Sequence, residues 1–69
     1  MEDKMDGKVK WFNKLKEYGF ISGTDGKDYF VHSKDLVEGT QLEEGNDVIF
    51  EPTEGDKGLK ATKVAIKKA

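Results

Sequence analysis

Two short runs decide how this chain reads: Lys16-Glu17-Tyr18-Gly19-Phe20-Ile21 and Asp28-Tyr29-Phe30-Val31-His32. Side chains along a strand alternate between faces. The first run therefore sets Tyr18 and Phe20 on one side and Gly19 and Ile21 on the other. The second sets Phe30 and His32 against Tyr29 and Val31. Between them lies Ser22-Gly23-Thr24-Asp25-Gly26-Lys27, in which Asp25-Gly26 is a strong turn dipeptide. The predicted hairpin has an apolar face suited to a core and an opposite face of flat rings. Lys10, Lys14 and Lys16 stand just upstream. Rings beside lysines are the ingredients of a stacking platform for unpaired bases.

Working outward, residues 8–13 read as a first strand, rich in β-favouring residues and bounded by Gly7 and Asn13. Residues 46–51 read as a fourth strand stopped by Pro52. After the turn Glu54-Gly55-Asp56-Lys57-Gly58, residues 59–66 read as a fifth. Residues 33–45 sustain no 3.6-residue period, so they allow one helical turn around 33–36 and no long helix. Five short strands without a long helix predict a small closed β-barrel, because closure removes the edges a short sheet would expose. The inward candidates are Val9, Ile21, Val31, Leu36, Val48, Phe50 and Val64, with Tyr29 in the core or at its rim. Residues 1–6 are expected to be a frayed leader, 7–66 the domain and 67–69 a short basic tail.

At 69 residues, the chain is one domain near the lower size limit for a self-supporting core. It has no cysteine and one histidine, which excludes a disulfide framework, a thiolate metal site and a multi-histidine site. No cofactor is expected. No apolar run is long enough for a membrane span and no signal peptide is visible. The pattern points to a cytosolic protein.

Net charge is −2, but the charges are segregated. Residues 8–34 hold six lysines against three acids, residues 35–56 hold eight acids and no lysine, and residues 57–69 hold five lysines and no acid. A ligand senses the local field within roughly 8–10 Å at physiological salt, so this distribution matters more than the total. Of the two basic segments, residues 8–34 carry both ring runs.

The chain resembles a cold-shock domain, a five-stranded antiparallel OB-fold barrel. The resemblance rests on Gly7-Lys8-Val9-Lys10-Trp11-Phe12-Asn13, on residues 16–21 and 29–32 as the two ribonucleoprotein motifs, and on Leu42-Glu43-Glu44-Gly45 and Glu54-Gly55-Asp56-Lys57-Gly58 ahead of the last two strands. It implies a monomer that binds single-stranded RNA or DNA with loose, usually pyrimidine-rich preference, often as an RNA chaperone. Carried over by position, the binding residues are Lys10, Trp11, Lys16, Tyr18, Phe20, Phe30, His32 and Lys57, with Lys8, Lys14 and Lys60 nearby. Alternation from Val9 alone would turn Trp11 inward; the resemblance turns it to the ligand, through a bulge or the strand's end. The sequence has no arginine, so phosphates would meet point charges and not guanidinium forks.

Three positions depart from the family pattern. Glu17 stands where glycine is usual, Ser33 stands where bacterial members usually carry an aromatic, and the loop 37–42 is about two residues short and lacks its aromatic, leaving Thr40 there. These departures predict weaker binding over fewer nucleotides.

An enzyme fits poorly: no nucleophile has a partner the sequence can place. Glu43-Glu44 and Asp25…Asp28 lack a calcium-loop ligand series and read as solvated acids. The rival reading is a protein-interaction barrel of the SH3 kind, whose aromatic face would take a proline-rich peptide.

Overall fold

The computed structural model describes residues 4–55 and 58–67. The strands are β1 (Met5–Asn13), β2 (Tyr18–Gly23), β3 (Asp28–His32), β4 (Asp47–Gly55) and β5 (Gly58–Ile66), and a single 3-10 turn over Ser33–Asp35 follows β3. They close in the order β1-β2-β3-β5-β4, with β4 returning to β1. Four of the five pairings are antiparallel. The fifth, where β3 meets β5 at Phe30 and Lys60, is parallel and short, and completes the barrel.

The hairpin has the two faces its alternation predicts. Ile21, Val31 and Tyr29 are buried, while Tyr18, Phe20, Phe30 and His32 are half-exposed. The core comprises Val9, Ile21, Tyr29, Val31, Leu42, Val48, Phe50, Ala61 and Val64, with Leu36 and Met5 packed against it. Leu42 enters from the loop before β4. That loop is held to β1 by hydrogen bonds from Val9 N–H to the Asn46 carbonyl (2.9 Å) and from Gly45 N–H to the Val9 carbonyl (2.8 Å).

Several boundaries differ from expectation. β1 starts at Met5, because Met5 and Asp6 pair with Phe50 and Ile49; residues 1–3 of the expected leader lie outside the described residues. Lys67 is tied to the barrel by its backbone N–H to Asp47 O (2.9 Å) and its Nζ to Asp6 Oδ2 (2.6 Å). The other two residues of the expected tail are not among those described. Pro52 does not stop β4, which runs on to Gly55 with Pro52 opposite Ala61. Among the described residues the pairing with β1 runs only as far as Phe50, so none of them needs the N–H that proline lacks.

β2 begins at Tyr18, not Lys16. Asn13 Oδ1 accepts from the backbone N–H groups of Leu15 (2.9 Å) and Lys16 (3.0 Å), and Glu17 N–H donates to Asn13 O (2.7 Å). This Asx-type turn carries Glu17 at φ 63, outside the extended range of a regular strand residue.

At the other hairpin end, Asp25 clamps the β2–β3 turn. Its Oδ2 accepts from the Tyr29 hydroxyl (2.6 Å), and its Oδ1 from Lys27 N–H (3.0 Å). The Tyr29 hydroxyl is the first cause lowering the Asp25 pKa below the ordinary carboxylate value, and the same bond raises that of Tyr29. A carboxylate whose pKa falls on folding contributes stability above its unfolded value, and that contribution is lost as pH falls through the folded value. A raised tyrosine pKa acts at the opposite end: its contribution is present below the unfolded value near 10 and lost above it. Asp25→Asn is therefore expected to melt below wild type at neutral pH. The gap should narrow as a melting series descends below about pH 4. A gap that stays constant to pH 2 would show that the carboxylate charge contributes nothing.

Candidate nucleic-acid interface

The exposed side of the hairpin is assembled by a β-bulge. Val9 pairs with Ile21, but Trp11, two residues on, pairs with Phe20, so Lys10 is an extra residue in β1. A bulge of this kind re-aims the side chains beside it. Val9 stays buried while both Lys10 and Trp11 face solvent, Trp11 with 38% of its surface exposed. Gly19 makes room beneath: a Cβ there would lie 2.2 Å from the Trp11 carbonyl oxygen and 2.7 Å from Phe12 Cα. Both atoms are β1 backbone, which cannot yield to a methyl group, so this crossing requires glycine.

Four rings result, each touching two others. Trp11 meets Tyr18 edge-on at 5.4 Å between centroids and Phe20 at 5.6 Å; Tyr18 lies stacked with Phe30 at 5.8 Å, and Phe20 meets Phe30 edge-on at 5.8 Å. Such offset and edge contacts hold rings in place at about 0.5–1.5 kcal/mol per pair. They also leave part of each ring open, as the intermediate burial of Tyr18, Phe20 and Phe30 shows. His32 lies opposite Tyr18 across the ladder. Its Nδ1 accepts from Lys34 N–H (3.1 Å), which leaves the proton of the neutral ring on Nε2.

Of the lysines, Lys10 Nζ pairs with Asp28 Oδ2 (2.9 Å) and about half of each side chain is exposed. An exposed pair of this kind is worth about 0–1 kcal/mol, so an incoming phosphate can displace the carboxylate. Lys16 is exposed in the turn beside Tyr18. Lys60 stands across from Phe30 and pairs loosely with Asp35 (3.9 Å). Lys57 lies outside the described residues. Lys8 is not part of this face: it lines a separate groove with Asp6, Asp47 and Lys67.

Two residues go beyond the expected set. Asp28 and Leu59, with Lys60, wall a cleft of about 530 Å³ against Phe20 and Phe30. Asp28 is two residues from Phe30, so the period-2 alternation that selected Phe30 also marks Asp28. Leu59 carried no such signal, because it reaches the face only through the β3–β5 closure.

A closed five-stranded barrel with a cluster of open rings beside lysines on its β1–β2–β3 face defines a small OB-type protein. The family model of the "'Cold-shock' DNA-binding domain" matches residues 5–67, and the chain belongs to that family. It is 49% identical over 67 residues to the cold shock-like protein CspA of Vibrio cholerae, covering 93% of this chain and 96% of that protein. It is 42% identical to the major cold shock protein CspA of Pseudomonas aeruginosa, covering 96% and 99%. Among solved structures, it superposes on a chain described as "drosophila Unr CSD456" with a TM-score of 0.80 over 97% of this chain. At 14% identity, and spanning 28% of that longer chain, this match speaks to the fold alone.

Proposed function

We propose that the protein binds single-stranded RNA or DNA by stacking bases on Trp11, Tyr18, Phe20 and Phe30, with lysines drawing in the phosphates, and that it acts as a cytoplasmic RNA chaperone and a monomer. The observation that carries the reading is the four-ring cluster, held half-open on the face opposite a complete core. A core residue set that does not need these rings leaves them free for a ligand. Family membership supports nucleic acid over a proline-rich peptide as that ligand. His32, placed opposite Tyr18 with Nε2–H as donor, serves as a hydrogen-bonding edge to the platform. Lys10 and Lys16 are assigned to phosphate attraction. Lys57 is assigned there by resemblance alone.

Trp11 is the sole tryptophan, so its emission reports on the face directly. Adding oligothymidine is expected to quench it saturably. The affinity should fall with salt at a log–log slope of about −1.4 to −2.1, the value for two or three phosphates. Quenching by a proline-rich peptide and not by the oligonucleotide would favour the SH3-like reading.

A further inference from the structure

Beyond the last ring pair, Tyr18 and His32, the ladder continues into Glu17 and Ser33, where Ser33 N–H donates to the Glu17 carbonyl (2.9 Å). Here the run of open rings gives way to a mixed lining that includes hydrogen-bonding side chains. Phe12, Lys14, Glu17, Ser33, Thr40 and Gln41 line a groove of about 410 Å³, within the roughly 300–1,000 Å³ usual for small-ligand clefts. The Glu17 backbone is pinned on both sides, by its N–H to Asn13 O (2.7 Å) and its carbonyl to Ser33. Its left-handed φ of 63 is one that side chains other than glycine avoid. Its carboxylate makes no hydrogen bond or ion pair with any described residue, although Lys14 and Lys16 are near in sequence.

We infer that this groove reads one base by its edge, and that Glu17 makes the position prefer guanine. This rests on the stacking face proposed above, since only a strand laid along the rings delivers its next base here. The choice follows from donor geometry. A carboxylate accepts two parallel N–H donors, and guanine offers N1–H and N2–H side by side on its Watson–Crick edge. Thymine and uracil offer a single N3–H between two carbonyl oxygens that a carboxylate repels, and cytosine's amino group stands beside the N3 acceptor. Ser33, Thr40 and Gln41 supply the hydroxyls and amide for the remaining edge. The same carboxylate repels a strand that brings no guanine.

The test is a titration of dT7 and of seven heptamers carrying one guanine at each position in turn, at one salt concentration, with wild type, Glu17→Gln and Glu17→Gly. For wild type, at least one guanine heptamer is expected to bind roughly tenfold tighter than dT7, the scale of a bidentate base contact. In both variants that advantage should disappear while dT7 binds more tightly. Glu17→Gly should also melt about 5 °C higher, since glycine adopts this φ without strain. The inference fails if dT7 binds but no guanine heptamer exceeds it, or if the advantage survives in the variants. If no oligonucleotide binds wild type, the stacking reading itself is overturned.

Discussion

Replacing Phe20 and Phe30 together by alanine is expected to abolish oligonucleotide binding and to leave a barrel that still melts cooperatively. Each stacked base is worth roughly 1–3 kcal/mol, so two lost platforms weaken binding by about 2–6 kcal/mol, on the order of 30- to 10⁴-fold. The fold should survive because neither ring belongs to the buried set. What it loses is their mutual edge contact and those to Trp11 and Tyr18, about 0.5–1.5 kcal/mol for each pair. Tm should drop while the transition stays sigmoidal. Because Trp11 itself touches Phe20, the binding measurement is better made by anisotropy of a labelled oligonucleotide than by tryptophan emission. Binding within a few-fold of wild type would move the ligand off this face. Loss of the melting transition would mean that the rings are core.

How much of this was legible in the sequence depends on whether the deciding contact is local. Alternation sufficed for the hairpin: Asp28–His32 is the third strand residue for residue, and Ile21 and Val31 went inward as their positions required. The one-turn helix after it was also readable, as a stretch with no sustained period. Trp11 was not readable by period, because a bulge is a property of two paired strands and β1 alone gives no sign of the extra residue. Only the family resemblance turned it outward.

Pro52 misled for a related reason: its effect depends on whether a neighbour needs its N–H, and among the described residues β1 pairs no further than Phe50. Lys16 was misplaced because Asn13 was read as a boundary when its side chain holds two backbone donors and builds the turn. Leu42 and Ala61 complete the core without a sequence signal: Leu42 lies in a loop, and Ala61 is three residues from the inward Val64, out of step with it because β5 carries an extra residue opposite Ile49–Glu51. For the candidate interface, the rings and Lys10 were legible, whereas Leu59 needed the β3–β5 seam. Glu17 shows in the sequence as a departure from the family's usual glycine. Its fixed backbone and its place in a groove are products of the turn.

Phe50→Ala supplies the opposite arm, and its expected result is loss of the fold and of binding together. Phe50 is fully buried and its ring lies 5.0 Å from that of Tyr29, the inward residue between Asp28 and Phe30. It also reaches the cover over Gly7, where an added Cβ would come within 2.8 Å of its ring. Truncating a buried phenylalanine costs about 3–5 kcal/mol. A domain of this size holds roughly 3–10 kcal/mol in total, so the variant is expected to be largely unfolded at 37 °C, or to melt at least ~15 °C lower. Nothing in this core compensates: no disulfide is present in a chain without cysteine, and half of the remaining buried side chains are valines too short to fill the space. Oligonucleotide binding should recover on cooling, or in a stabilising osmolyte, in proportion to the refolded fraction, because every ring of the platform is still present. The Phe20/Phe30 variant should show no such recovery at any temperature. If instead Phe50→Ala melts within a few degrees of wild type while the Phe20/Phe30 variant unfolds, the two faces of the hairpin have been assigned the wrong way round.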